Sequence, residues 1–300
     1  MAERASPFLK WAGGKNQLLP AILPRFPDRI RIYYEPFVGG GAVFFALASE
    51  GRIGEAVLGD MNRDLIETYR VVRDDVETLV EALAELAPHA TSSERYYEVR
   101  AVDPCSLEPV GRAARFIFLN KTCFNGLYRV NRSGRFNVPF GRYKRPRVLD
   151  EAALHRASRA LTRADLVVED FETTVAAVGP GDAVYFDPPY APASETACFT
   201  SYHRSPFGPL EHERLRRVYC ACWQQGAVAV LSNSDTPFTQ DLYRGLEFET
   251  VFAQRAINRD PNRRGHVSEM LVHGIRARSS RLPTVPSAEE LRSRARKKAV

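Results

Sequence analysis

The chain is poor in cysteine, and the little it has follows no functional spacing. Cys105, Cys123, Cys198, Cys220 and Cys222 are odd in number and irregularly placed. That excludes a disulfide framework, and no C-x-x-C pair is present to begin a zinc site. Cys220 and Cys222 fall in a helical pattern and are expected as buried thiols. The six histidines are scattered and form no H-E-x-x-H pair, so no protein-bound metal is expected. No apolar run approaches the roughly 18 residues of a membrane-spanning helix. Residues 1–15 lack the apolar stretch of a secretory signal, so a cytosolic protein with no membrane partner is expected. Gly13-Gly14-Lys15 resembles the end of a phosphate loop, but Leu9 stands where its first glycine belongs and Asn16 where its Ser or Thr belongs. ATP binding is therefore unsupported. Acid is missing too: residues 109–149 contain no Asp or Glu.

That same stretch carries Arg112, Arg115, Lys121, Arg129, Arg132, Arg135, Arg142, Lys144, Arg145 and Arg147. The formal net charge is +6, and residues 276–300 account for all of it, so the rest of the chain sums to zero. A neutral body with one strongly basic stretch implies a local surface for a polyanion. The final stretch, 277–300, mixes Pro, Ser and charge and reads as a mobile tail with a short helix from Ala288. At 300 residues and 44% hydrophobic, the chain suits one large domain, or a core with a smaller insert.

Short apolar runs predict strands at 31–35 (RIYYE), 55–59 (EAVLG), 165–169 (DLVVE), 182–186 (DAVYF) and 227–232 (AVAVLS), with two more at 246–252 and 268–272. Most are apolar throughout, as in strands buried on both faces. Helical patterns at 41–49, 63–86 and 210–225 fall between them. The alternation predicts an α/β fold with a mainly parallel sheet. Roughly a hundred residues separate the strand ending near Asp60 from the one starting near Asp165, far more than a crossover needs. An inserted domain is expected there, and it contains the whole basic stretch.

Two strand ends carry chemistry. After the first strand comes Glu35-Pro36-Phe37-Val38-Gly39-Gly40-Gly41, whose glycines let backbone approach a ligand. This pattern alone fits a dinucleotide fingerprint, a methyltransferase loop or a tight turn. Asp60 ends the next strand, 19 residues after Gly41. It is placed either to accept ribose hydroxyls or to cap the helix that begins near Asn62. After DAVYF comes Asp187-Pro188-Pro189-Tyr190. Two prolines stiffen the backbone, so the Pro188 carbonyl can point steadily at a substrate. An exocyclic amine donating to that carbonyl and to the Asp187 carboxylate would have its lone pair held toward an electrophile. Tyr190 can stack on a base.

The basic stretch contains FNGLYRVNRSGRFNVPFGRYKR (124–145), aromatics interleaved with Arg and Asn. Arg suits guanine, Asn suits adenine, apolar groups suit the thymine methyl, and Lys or Arg suits phosphate. Ser133-Gly134 is a candidate hairpin turn.

In order along the chain, FLKWAGGK, EPFVGGGAVFF, LGDMNRDLI, NKTCFNGLYRVNRSGRFNVPFGRYK, DPPY and LSNSD resemble the DNA adenine methylase (Dam) family of N6-adenine methyltransferases. The matches run from Phe8 to about Gly274. The resemblance implies a seven-stranded, Rossmann-like class I methyltransferase sheet with an inserted, mostly helical DNA-recognition domain bearing a β-hairpin. It divides the chain into catalytic parts at 1–63 and 153–276, a recognition domain at 64–152 and the tail at 277–300. It implies S-adenosylmethionine as cofactor, touched by Trp11, Lys15, Phe37, Gly39, Gly41, Asp60, Asp170, Phe171 and Asp187. It implies Asp187, Pro188, Pro189 and Tyr190 as the catalytic set, and Phe199, Tyr202 and Phe207 as part of a segment that closes over the target. For double-stranded DNA it implies Arg129 and Lys10 on guanines, Leu127 and Pro139 on thymine methyls, Asn125 near the vacated base and Phe124 as a wedge. Arg142 and Lys144 would be further DNA contacts, Lys144 gripping phosphate. A base inside a duplex cannot present N6, so the adenine must be flipped. Closeness to members that modify GATC implies that site. A monomer working at the nucleoid, paired in function with a restriction endonuclease or not, completes the expectation.

Rival readings change one part each. N-P-P-Y and S-P-P-Y relatives methylate glutamine or cytosine N4, but here Asp187 leads the motif. An NAD-dependent oxidoreductase leaves DPPY and the insert unexplained. A DNA-binding protein without activity needs a damaged catalytic motif, and DPPY is intact.

Overall fold

The computed structural model describes residues 4–191, 207–254 and 266–275. Phe199, Tyr202 and the tail at 277–300 lie outside the described residues. Seven strands form one sheet: β1 (Ile30–Glu35), β2 (Ile53–Gly59), β3 (Ala164–Val167), β4 (Ala183–Phe186), β5 (Val228–Ser234), β6 (Leu246–Gln254) and β7 (His266–Ile275). Their order is β3-β2-β1-β4-β5-β7-β6. The first five run parallel, while β7 is antiparallel to both β5 and β6.

The apolar runs are explained by burial on both faces. Tyr33, Tyr185, Val230 and Leu271 enter one core, and their neighbours Tyr34, Val184, Phe186, Leu231, Met270 and Val272 enter the other. Successive side chains of a strand point to opposite faces, so strands with apolar residues at every position must be covered twice. Around the sheet lie α1 (Leu19–Ile22), α2 (Ala42–Ser49), α8 (Phe171–Thr174), α9 (Pro209–Gln224) and α10 (Pro237–Leu242).

Between β2 and β3 stand α3 (Arg63–Asp74), α4 (Val76–Leu86), α5 (Ser93–Ala101), α6 (Pro109–Thr122) and α7 (Glu151–Leu161). The pattern at 63–86 reads as one helix but is two. Asp75 leaves helical geometry at φ −148°, and its carboxylate accepts from the Thr78 hydroxyl at 2.6 Å. Asp is a weak helix former and is favoured at such boundaries. Helix α6 is the spine of this layer, with Ala113, Phe116, Ile117, Phe118 and Leu119 buried in the core that also covers the sheet. Among the described residues no helix is long and apolar enough to cross a membrane.

The chain passes from β1 outward through β2 to β3, then returns to place β4 on the other side of β1. Loops leaving the C-terminal ends of β1 and β4 therefore diverge and open a crevice, the usual ligand site of an open α/β sheet. The glycine loop follows β1, and DPPY follows β4.

Candidate active site

The glycine loop is braced from three sides. Gly39 and Gly41 have φ of +46° and +69°, a region side chains disfavour. A β-carbon at Gly39 would come within 2.6 Å of Trp11 Cδ1, so the indole lies directly on the loop. Asp60 accepts the Gly39 N–H at 3.2 Å and the Asn62 N–H at 2.9 Å. The α3 cap is Asn62, whose side chain accepts from Leu65 N–H. Asp60 is therefore the brace between two loops, not the helix cap. Tyr69 donates its hydroxyl to the Gly39 carbonyl at 3.1 Å.

DPPY meets the segment that carries Trp11 through Lys15. The buried Lys15 Nζ lies 2.9 Å from Asp187 Oδ1, donates to the Gly13 carbonyl and stands 4.8 Å from the Tyr190 ring centroid. Ser232 donates to Asp187 Oδ1 at 3.0 Å and shares a hydrogen bond with the Tyr185 hydroxyl at 2.9 Å. Beyond the motif, Asn233 Oδ1 accepts the Ala191 N–H at 3.3 Å, and Ser234 donates to the Ala191 carbonyl at 2.8 Å. The segment LSNSD thus anchors DPPY from the adjacent strand.

The electrostatics are unbalanced. Burial raises the pKa of Asp187 while Lys15 pulls it back, and burial also raises that of Glu269, again opposed by Lys15. Glu35, fully enclosed at the end of β1, is pushed up to about 8 by burial, against hydrogen bonds from the Tyr33 hydroxyl and Phe44 N–H. Among the described residues Asp187 and Glu269 share the one cation Lys15, while Glu35 keeps its proton up to about 8 and adds no charge below it.

Glu35 carries a stability prediction. An unfolded glutamate loses its proton near 4.5, whereas the folded one holds it to about 8. Between those values the native state binds more protons, so stability falls as pH rises. At about 1.4 kcal/mol per unit, the loss is of the order of a few kcal/mol. Glu35→Gln keeps an acceptor for Tyr33 and Phe44 and removes the titration. Its melting temperature should decline less than the wild type's between pH 5 and 9; parallel curves would refute the assignment.

Asp170 caps α8 by accepting Glu172 N–H at 3.0 Å and pairs with Arg214 at 2.5 Å. Phe171 is buried, stacks on Phe37 at 5.5 Å and carries the Arg214 guanidinium 4.2 Å from its centroid. Phe207 packs edge-on against Phe37 at 5.8 Å. These four expected residues form one wall, with Arg214 added to it.

On the side of the basic stretch, Phe124 and Arg129 are exposed, as are Pro139, Arg142 and Lys144, while Asn125 and Leu127 are half-buried. The expected β-hairpin is reduced to isolated antiparallel bridges, Cys123 with Phe140 and Val130 with Phe136, around a turn where Gly134 has φ +77°. Regular strands do not form because Phe124–Gly126 is a 3-10 turn with Asn125 at φ +56°. Lys10 is pressed against that turn: a β-carbon at Gly126 would meet Lys10 Cβ at 2.6 Å. The Lys10 N–H and carbonyl both bond the buried Asn120 side chain, and its ammonium lies 3.9 Å from the Tyr143 centroid. Arg129 donates to Asn137 Oδ1 at 2.7 Å. Arg115 is not part of the basic surface. It is buried and donates to the Val99 and Arg100 carbonyls at 2.9 Å.

Reading the sequence alone left Glu35, Ser232, Asn233, Arg214 and Glu269 without roles. The run LSNSD was a signal for two of them; a single acid in a late strand gave none for Glu269.

Residues 11–257 match the sequence family described as D12 class N6 adenine-specific DNA methyltransferase. The chain is 42% identical to the type II methyltransferase M.MjaIII of Methanocaldococcus jannaschii, over 89% of this chain and 98% of that protein. It is 39% identical to the type II methyltransferase M1.LlaDCHI of Lactococcus lactis subsp. cremoris, over 89% and 94%. It is also 39% identical to a DNA adenine methylase of Serratia marcescens, over 88% and 96%.

Proposed function

We propose, for a chain that belongs to the D12 class of N6 adenine-specific DNA methyltransferases, that it uses S-adenosylmethionine to methylate a flipped adenine, and that its site is GATC. The observation that carries the reading is the Asp187 carboxylate of DPPY, held by Lys15 and Ser232 at the C-terminal end of β4. The Asp187 and Glu269 carboxyl groups, with Lys15 as their one cation among the described residues, fit a cofactor bearing a sulfonium and an ammonium. Trp11, Lys15, Phe37, Gly39, Gly41, Asp60, Asp170, Phe171 and Asp187 would hold it. When bound, that cofactor supplies an electrophilic methyl group.

Asp187 and the Pro188 carbonyl would accept the two N–H groups of N6 and so orient its lone pair. Tyr190 would stack on the extruded ring, and Phe124 would fill the stack it leaves. On this reading residues 64–152 are the recognition part, with Arg129 and Lys10 reading guanines, Leu127 and Pro139 meeting thymine methyls and Asn125 near the vacated base. The exposed Arg142 and Lys144 would complete the DNA surface, Lys144 gripping phosphate.

The test is to map N6-methyladenine in DNA from cells that express the protein, and to assay purified protein with duplex DNA and labelled cofactor. Modification centred on another sequence would overturn GATC and leave the chemistry standing. That outcome would favour a second reading, methylase of a restriction-modification system with its own site, to which the similarity with type II methyltransferases points.

A specificity prediction follows from Arg129. Arg129→Ala should cost about 1–3 kcal/mol of discrimination at one guanine, so sites altered there approach the cognate rate. Lys144→Ala should instead slow every site alike. Competition between duplexes differing at single positions distinguishes the two patterns; a uniform loss for Arg129→Ala would count against base reading.

A further inference from the structure

The prolines of DPPY fix backbone, not the ring that follows them. Their φ angles are locked, yet the two side-chain torsions of Tyr190 stay free to choose among staggered wells. Lys15 lies against the face of that ring, and the hydrogen-bond restraint on its tip comes from β7. Glu269 lies in register with Ser234 of β5, and its Oε2 accepts the Tyr190 hydroxyl at 2.5 Å. Ser234 and Asn233 hold the Ala191 backbone from the strand alongside. Two neighbouring strands therefore divide the work, with β5 holding main chain and β7 holding the ring tip. A hydroxyl donating to a carboxylate is among the stronger hydrogen bonds, and Glu269 is half-buried, which limits competition from water.

We infer that Glu269 is a positioning residue for the methyl transfer: through its hydrogen bond to the Tyr190 hydroxyl it sets the ring angle at which the target base stacks. The inference rests on the proposed stacking role of Tyr190. It differs from an electrostatic role because Glu269 also faces Lys15 and Asp187, and those interactions need charge, whereas the hydroxyl needs only an acceptor.

Full-length Tyr190→Ala, Tyr190→Phe, Glu269→Ala and Glu269→Gln are compared with wild type in single-turnover methylation of one duplex. DNA affinity, melting temperature and the fluorescence of 2-aminopurine at the target position are measured beside the rate. Glu269→Ala should slow the methyl-transfer step about ten- to a hundred-fold, as expected for a misplaced reacting partner, with DNA affinity unchanged. Its 2-aminopurine signal should be brighter than wild type, because an extruded base that no longer stacks is less quenched. Glu269→Gln keeps an amide oxygen for the hydroxyl and should restore most of the rate. Tyr190→Phe should match Glu269→Ala, and the double variant Tyr190→Phe/Glu269→Ala should be no slower than either. A wild-type rate for Glu269→Ala, a Glu269→Gln as slow as the alanine variant, or additive losses in the double variant would each overturn the inference. If Tyr190→Ala itself turns over normally, the stacking reading fails first. A slow Tyr190→Ala beside a normal Glu269→Ala overturns the positioning role alone.

Discussion

Asp187→Ala is expected to lower methylation by at least about 10² to 10³-fold while the protein stays folded, the range seen when one preorganised electrostatic partner is removed. In the proposed reaction Asp187 supplies one of the two acceptors aimed at N6. Its carboxylate is already oriented by Lys15 and Ser232 at 2.9 and 3.0 Å, so no reorganisation is needed when charge develops on nitrogen. Loss of its contact with the cofactor adds to the deficit. Single-turnover rates and melting curves measured side by side decide the matter. Near-normal turnover by a folded variant would remove Asp187 from the chemistry.

Lys15→Ala should be the second-largest defect, and its pH dependence identifies the cause. Lys15 opposes the burial that raises the Asp187 pKa. Without the ammonium that carboxyl shifts higher still, so a larger share of it holds a proton and cannot stabilise positive charge on N6. A loss of about 10²-fold near pH 7 is expected, on the scale of other single electrostatic partners. Raising the pH through the new pKa re-ionises Asp187, so the deficit should shrink as pH increases. The kcat–pH profiles of variant and wild type test this. A deficit that stays constant at all pH values would assign Lys15 to cofactor binding alone. Lys15 is the only cation facing the three carboxyl groups among the described residues, so its removal should also raise the Glu35 and Glu269 pKa values.

The defects expected at Asp187 and Lys15 depend on a contact between residues far apart in the chain. DPPY was legible because its residue types are unusual together: a carboxylate, two rigid residues and an aromatic at the end of a strand with no polar interior. The glycine loop was legible for the same reason. The pairing of Lys15 with Asp187 was not, since nothing near Lys15 distinguishes a ligand contact from an internal ion pair. Asp60 shows the same limit. Its position after β2 suited a ribose contact or a helix cap equally, and only the bonds to Gly39 and Asn62 separate the brace from the cap. In the basic stretch, composition counted Arg115 with its neighbours, although α6 turns it inward to the Val99 and Arg100 carbonyls.

What the sequence determined by itself was local and repetitive: strands apolar at every position, which must be covered on both faces, glycines where backbone runs at positive φ, and short motifs at strand ends. Periodicity and backbone stereochemistry act over a few residues, so they can be read from a few residues. Tertiary structure alone decided the order β3-β2-β1-β4-β5-β7-β6, and with it every contact that crosses the sheet. Setting β4 beside β1 opens the crevice where the glycine loop faces DPPY. Laying β7 antiparallel between β5 and β6 brings Glu269 to Tyr190. Such neighbours are selected by the collective burial of two cores rather than by any property of the residues that meet, and for that reason a lone glutamate in a late strand carries no mark of its partner.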